Sequence, residues 1–154
     1  MQLSDLVSQD AVLASVKASG KKQVLQEIAH KAADLYGLHC GMILNGLIER
    51  EKLGSTAMGS GVAIPHTRLA GLDQIIGVFA RLDKPVDFEA ADSEGVDLVF
   101  ALLAPETADA NHLRALAKVS RTMRDADIRA KLRASDDAAS LPALLTEVEI
   151  SNAA

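Results

Sequence analysis

Aromatic residues are scarce in this chain of 154 residues, which has no tryptophan, one tyrosine and three phenylalanines. A surface that stacks nucleic-acid bases needs aromatic rings, and the net charge of −5 is also unfavourable for binding nucleic acid. The single cysteine, Cys40, excludes an intramolecular disulfide and favours a reducing compartment. No apolar run reaches membrane-spanning length, and the polar residues after Met1 do not resemble a signal peptide. We therefore expect a cytoplasmic protein without membrane insertion or a nucleic-acid partner.

Apolar residues, in contrast, make up 49% of the chain, and residues 1–154 contain no repeat, linker or low-complexity stretch. A single domain of this size can bury a core without disulfide or metal support. Nearly continuous apolar runs at 75–82 and 96–103 predict strands that are covered on both faces. Apolar residues at helical spacing predict four main helices, over 21–36, 40–52, 110–124 and 126–134. The chain is therefore expected to form one domain in which helix layers cover both faces of a sheet.

Parts of this pattern need the structure to resolve them. Residues 83–95 are acidic and are expected to be irregular. A last helix could begin at Asp136, but Pro142 would then interrupt its backbone ladder, so the helix either starts nearer Ser140 or is kinked. In the helix over 110–124, the apolar face is predicted to consist of Leu113, Leu116, Ala117, Ser120 and Met123.

His66 stands in an unusual local sequence. It follows a glycine-rich loop over 54–61, a short predicted strand over 62–64, and Pro65. Because proline cannot donate to a strand ladder, we expect the strand to stop there and His66 to leave its end in a defined direction. Loops after strand ends are common ligand sites in α/β sheets, and imidazole is largely neutral and nucleophilic near pH 7. These residues alone favour a functional and a structural role equally.

The other candidate motifs are weaker. His112 begins a predicted helix, where the helix dipole disfavours the protonated ring and free N–H groups suit an anion, although a surface or capping histidine is the simpler interpretation. The glycine-rich loop lacks the lysine of a P-loop and the third glycine of a dinucleotide site. No histidine pair has metal-ligand spacing. No cofactor or metal is expected.

Two segments carry a resemblance to a known family. The sequences REKLGST at 50–56 and GSGVAIPH at 59–66 resemble the active-site signature of IIA domains of the bacterial phosphotransferase system. The similarity lies in the mannitol/fructose class and is greatest to its nitrogen-regulatory branch. It continues through 84–88, 96–103 and His112, and covers about residues 1–147.

The resemblance implies a three-layer α/β/α sandwich with a mixed, mainly parallel five-stranded sheet. It implies a phosphotransferase-system component that accepts a phosphoryl group on His66 from an HPr-like phosphohistidine carrier and regulates partner proteins by its phosphorylation state. By the same resemblance, His112 supports the phosphorylated ring by hydrogen bonding, Arg50 helps to neutralise the phosphate, and Ser55 and Thr56 line it. Transfer is then stoichiometric and requires no cofactor.

Two positions depart from the family pattern. Thr67 stands where the family usually has glycine, and a left-handed backbone there would be unfavourable for a residue with a Cβ. Arg68 stands where a lysine is more common.

Three alternatives are open at this point. The first is a IIA component of fructose or mannitol uptake, with IIB and IIC on separate chains. The second is a hydrolase that uses Cys40 or Ser55 with His66 as base, although no GxSxG elbow is present. The third is an interaction domain that uses the basic region 111–133, which carries seven bases and two acids.

Overall fold

The computed structural model describes residues 3–107, 110–135, 137 and 139–145. Its helices are α1 (Leu3–Leu6), α2 (Lys21–Tyr36), α3 (Cys40–Lys52), α4 (Ala110–Met123), α5 (Ala126–Ala134) and α6 (140–145). Its strands are β1 (Val12–Val16), β2 (Ala57–Gly59), β3 (Val62–Ala63), β4 (His66–Leu69), β5 (Ile76–Val86) and β6 (Val96–Pro105), and a 3-10 turn covers Gln9–Ala11. Within the described ranges, no helix combines the length and the apolar character that a membrane span requires.

Strand β6 lies at the centre of one mixed sheet. On one edge it pairs with β5 in antiparallel orientation. On its other edge it pairs in parallel with β3, at Leu98 and Val99, and then with β4, from Leu102 to Pro105. Because β3 and β4 follow each other along that edge, they share one position in the sheet. Parallel β1 beside β5 and antiparallel β2 beside β3 complete five positions.

Alternate residues of β6 separate two hydrophobic cores. Val99, Ala101 and Leu103 pack with the apolar faces of α2 and α3. Leu98, Phe100 and Leu102 lie in the second core, which includes residues of α1, α4, α5 and α6. All six of these side chains are fully buried, as expected for a strand covered on both faces. The predicted three-layer α/β/α arrangement with a mixed sheet is therefore confirmed.

The site-bearing edge of the sheet differs from the prediction. The strand was expected to stop at Pro65, but pairing resumes at once in β4, with His66 as its first residue. The reason is that proline loses only its donor: the N–H of Leu102 still donates to the Pro65 carbonyl at 2.9 Å. Part of the predicted loop over 54–61 also forms β2, and β5 extends through 83–86, which was expected to be irregular.

The buried face of helix α4 overlaps the predicted one only in part: Met123 is buried and Leu116 packs partly against the core, as predicted. Leu113 is 67% exposed, and the buried residues are His112, Ala115, Val119, Thr122 and Met123. Hydrophobicity does not mark this face because two of its members are polar.

Helix α6 begins at residue 140, so Pro142 lies in the first turn, where its missing N–H has no intrahelical partner to lose. The Asp137 carboxylate accepts from the Ala139 N–H and the Ser140 hydroxyl before that turn. Asp136, the predicted capping residue, lies outside the described residues.

Candidate functional site

His66 is held in one orientation by the backbone just before it. Its Nδ1 lies 2.9 Å from the Ile64 carbonyl oxygen. Because a carbonyl can only accept, Nδ1 carries the proton and donates it. The neutral ring therefore presents its lone pair at Nε2, the nitrogen that faces away from the backbone contact.

Arg50, in the last turn of α3, contacts that nitrogen. Its Nε donates to His66 Nε2 at 3.2 Å, and its Nη1 donates to the Gly54 carbonyl at 2.8 Å. The second hydrogen bond ties the guanidinium to the loop that follows α3. A permanently charged donor is thereby fixed beside the free lone pair of His66.

His112 completes a two-histidine cluster. Its ring centre lies 5.6 Å from that of His66, with the ring planes at 77°. The residue is only 5% exposed, and its Nε2 is buried without a hydrogen-bond partner among the described residues. Such unpaired buried groups are rare in folded proteins and often belong to functional sites. The structure therefore brings together His66, His112 and Arg50, the three residues first predicted for the site.

The surroundings of both histidines favour the neutral ring. Burial lowers the pKa of His66 below the usual 6.5; the hydrogen bond to the Ile64 carbonyl opposes this most, the charge of Arg50 lowers the pKa further, and Glu51 raises it slightly. Burial also lowers the pKa of His112, followed by the effects of His66 and Arg68. A neutral imidazole keeps the lone pair that a nucleophile needs.

Ser55 and Thr56 shape the loop beside the cluster. The Ser55 hydroxyl donates to the Phe88 carbonyl and accepts from the Ala57 N–H at 3.1 Å. Thr56 donates through both its hydroxyl and its N–H to the carboxylate of Glu51. In this structure both hydroxyls anchor the loop, and their lining of a phosphate stays a prediction.

Two residues of the site carried no predicted role. The Glu51 side chain is 5% exposed and pairs with Lys21 Nζ at 3.1 Å, so a partly buried ion pair supports the loop. Arg68 Nε donates to His112 Nδ1 at 3.4 Å across 44 positions of sequence. Glu51 stood inside the REKLGST motif and Arg68 was a noted departure, but these contacts are long-range and no local pattern reports them.

The threonine at position 67 is accommodated without a left-handed backbone. Thr67 lies in β4, and its φ is not positive. A Cβ added to Gly46 of α3 would lie 2.7 Å from Thr67 Oγ1. The space that Thr67 occupies is therefore provided by a glycine on the neighbouring helix.

The residues of the alternative hydrolase are not assembled. Cys40 Sγ lies 3.5 Å from Nδ1 of His30, not from His66. His66 instead contacts Arg50 and Ile64 through its two ring nitrogens. Among the described residues, no three His, Cys, Asp or Glu side chains are grouped to hold a metal ion.

The protein combines a mixed sheet between helix layers with two histidines and an arginine at one strand junction. Comparison with known proteins identifies the class of protein that has this arrangement. The family model described as "Phosphoenolpyruvate-dependent sugar phosphotransferase system, EIIA 2" matches residues 5–148. The chain belongs to this family of phosphotransferase-system IIA proteins.

Within the family, the chain is similar to nitrogen-regulatory proteins. It is 54% identical over 145 residues to the nitrogen regulatory protein of Bradyrhizobium diazoefficiens, covering 94% of this chain and 95% of that protein. The crystal structure of nitrogen regulatory protein IIA-Ntr from Neisseria meningitidis superposes with a TM-score of 0.87 at 34% identity, over 93% of this chain and 98% of that one. The mannitol IIA of Escherichia coli shares the fold, with a TM-score of 0.74 at 19% identity over 91% and 98%.

Proposed function

We propose that this protein is a phosphoryl-accepting regulator of the nitrogen-related phosphotransferase system, with Nε2 of His66 as the acceptor atom. The observation that carries the proposal is the hydrogen bond of His66 Nδ1 to the Ile64 carbonyl, which leaves Nε2 as the nucleophile. The donor is a phosphohistidine on an HPr-like carrier. The regulatory role rests on the similarity to nitrogen regulatory proteins.

The transfer exchanges one N–P bond for another. The lone pair of His66 Nε2 attacks the phosphorus, and the bond from phosphorus to the carrier's imidazole breaks with its electron pair returning to that ring. Positive charge develops on the His66 ring as the bond forms. The Ile64 carbonyl accepts the hydrogen bond from Nδ1–H, and this bond becomes charge-assisted and stabilises the positive ring.

Arg50 has two successive roles in this scheme. Before transfer its Nε–H covers the Nε2 lone pair. During transfer the same donor moves to a phosphoryl oxygen, because Nε2 is then bonded to phosphorus and no longer accepts. Donors aimed at the equatorial oxygens supply most of the stabilisation that phosphoryl transfer requires. His112 supplies a second donor through its unpaired Nε2.

The surface around the site is suited to a protein partner. Leu53, in the loop after Arg50, is 85% exposed, and Leu113, beside His112, is 67% exposed. Exposed apolar residues next in sequence to site residues favour contact with a protein surface. A phosphoryl group adds roughly −1.5 to −2 charges, by analogy with hydroxyl phosphates. Phosphorylation of His66 would therefore change the affinity for partners that dock at the site.

We also propose that the chain is a single domain and that it is located in the cytoplasm. The family model spans 5–148, and both helix layers cover one sheet, which supports treating residues 1–154 as one domain. A cytoplasmic location is compatible with the free thiol of Cys40.

The test is the intact mass of the protein after incubation with phosphoenolpyruvate, the first enzyme of the phosphotransferase system and its phosphohistidine carrier. We expect one phosphoryl group on the wild type and on His30→Ala, an exposed histidine outside the site, and none on His66→Ala. The modification should be labile in acid and stable in base. A phosphoryl group on His66→Ala would contradict the proposal, whereas onward transfer to a sugar-transport IIB protein would favour the uptake alternative.

A further inference from the structure

Arg68 contacts His112 from the side opposite to its unpaired nitrogen. Arg68 lies in β4 two residues after His66, so both side chains project from the same face of the strand. Its Nε donates to His112 Nδ1 at 3.4 Å. The other ring nitrogen, Nε2, is the buried atom without a partner among the described residues.

This hydrogen bond determines which nitrogen of His112 carries the proton. A guanidinium has five N–H donors and no acceptor, and it does not lose its proton in proteins. Nδ1 of His112 must therefore present its lone pair to Arg68. In the neutral ring the single proton is then on Nε2.

We infer that Arg68 is a positioning residue that holds His112 in the tautomer with the proton on Nε2, so that His112 presents a donor to a phosphoryl group on His66. The inference rests on the proposed function of His66. In the opposite tautomer, Nε2 would present a lone pair to the phosphoryl oxygens and repel them. Arg68 acts through His112 and need not touch the phosphoryl group.

The two arginines of the site thus act differently. Arg50 donates to the nitrogen that reacts, and Arg68 donates to the nitrogen that does not. Removal of Arg68 leaves the nucleophile and its contact with Arg50 intact. It releases the tautomer of His112, which then exchanges between the two forms. Lysine is also a pure donor, so Arg68→Lys retains the constraint, whereas the thioether of Arg68→Met has no donor for Nδ1.

The test is long-range ¹H–¹⁵N NMR of histidine-labelled protein, which distinguishes protonated from unprotonated ring nitrogens. We expect the Nε2–H form of His112 in the wild type, in Arg68→Lys and in the matched control Arg121→Met, which replaces an exposed arginine of α4. In Arg68→Met the Nδ1–H form should appear. The same samples then give rates of phosphoryl gain and loss by intact mass. Arg68→Met should change these rates by about tenfold to a hundredfold, as for other groups that orient a functional histidine.

Each outcome is decisive. An Nδ1–H form in the wild type, or the same tautomer in Arg68→Met as in the wild type, overturns the inference. A tautomer shift with unchanged phosphoryl rates also overturns it, because the tautomer would then have no effect on the reaction. If the wild type gains no phosphoryl group, the proposed function fails, and the NMR result still decides whether Arg68 sets the tautomer. Arg68 is exposed, and amide spectra of the same samples verify that the variant is folded.

Discussion

The contact between Gly46 and Thr67 allows a prediction with a magnitude. Gly46 lies inside α3, and a Cβ there would be 2.7 Å from Oγ1, 3.0 Å from Cγ2 and 3.3 Å from Cβ of Thr67. A rotation of the threonine exchanges its two branches but does not move its Cβ. Gly46→Ala therefore forces α3 and β4 apart at the residue next to His66.

Two opposing effects set the size of the change. Alanine is about 1 kcal/mol more favourable than glycine inside a helix. Overpacking a well-packed interface costs about 1–3 kcal/mol. We expect Gly46→Ala to lower the free energy of unfolding by about 1 kcal/mol, the difference between the centres of these ranges. In a Thr67→Gly background the overpacking is absent, and the same substitution should raise the free energy of unfolding by about 1 kcal/mol.

Urea unfolding of the wild type, both single variants and the double variant measures this coupling. The cycle removes the intrinsic cost of glycine in β4, because that cost appears in both Thr67→Gly proteins. The expected interaction energy is about 2 kcal/mol, the sum of the loss avoided and the gain recovered. Additive effects, or a Gly46→Ala protein at least as stable as the wild type, would refute the account of how Thr67 is accommodated.

Three further predictions concern the site. Arg50→Ala should slow phosphoryl gain by about 10²–10³, as for loss of one transition-state donor, while urea unfolding shows little change; an unaltered time course of intact mass would show that Arg50 has no role in the transfer. Glu51→Gln should lower the free energy of unfolding by about 1 kcal/mol, because Thr56 then donates to a neutral acceptor instead of a charged one; unchanged urea unfolding would contradict this. The pKa of His112 in the folded protein lies below the unfolded value near 6.5. As the pH drops below 6.5, His112 therefore binds a proton more readily in the unfolded chain than in the folded one, and the free energy of unfolding should fall. His112→Gln should weaken that dependence, and an equal slope in urea unfolding from pH 7 to 5 would show that His112 is not its source.

The local spacing of apolar residues was sufficient to predict those helices and strands whose apolar residues are the ones that are buried. The helices α2 and α3 have the predicted bounds, since apolar spacing and a following glycine or loop mark both. The apolar run in β6 correctly indicated a strand covered on both faces. In contrast, β1 and β4 were not predicted. Only two of the five residues of β1 are buried. Strand β4 forms because the carbonyl of Pro65 still pairs with β6. The sequence alone does not indicate either of these two strands.

The site shows the same limit. His66, Arg50 and His112 were predicted through the family resemblance, and the structure brings them together, but the predicted buried face of α4 was only partly right. The helix buries His112 and exposes Leu113, which is the reverse of what hydrophobicity predicts. The roles of Arg68 and Glu51 depend on contacts made only after folding.

The most direct measurement of the central claim is the identity of the phosphorylated nitrogen. Combined ³¹P and ¹⁵N NMR of the phosphorylated, histidine-labelled protein distinguishes a phosphoryl group on Nε2 from one on Nδ1 and identifies the residue that bears it. The hydrogen bond between His66 Nδ1 and the Ile64 carbonyl predicts phosphorylation of Nε2 of His66, with the Nδ1 proton still present. A phosphoryl group on Nδ1 of His66, or on His112, would contradict the account.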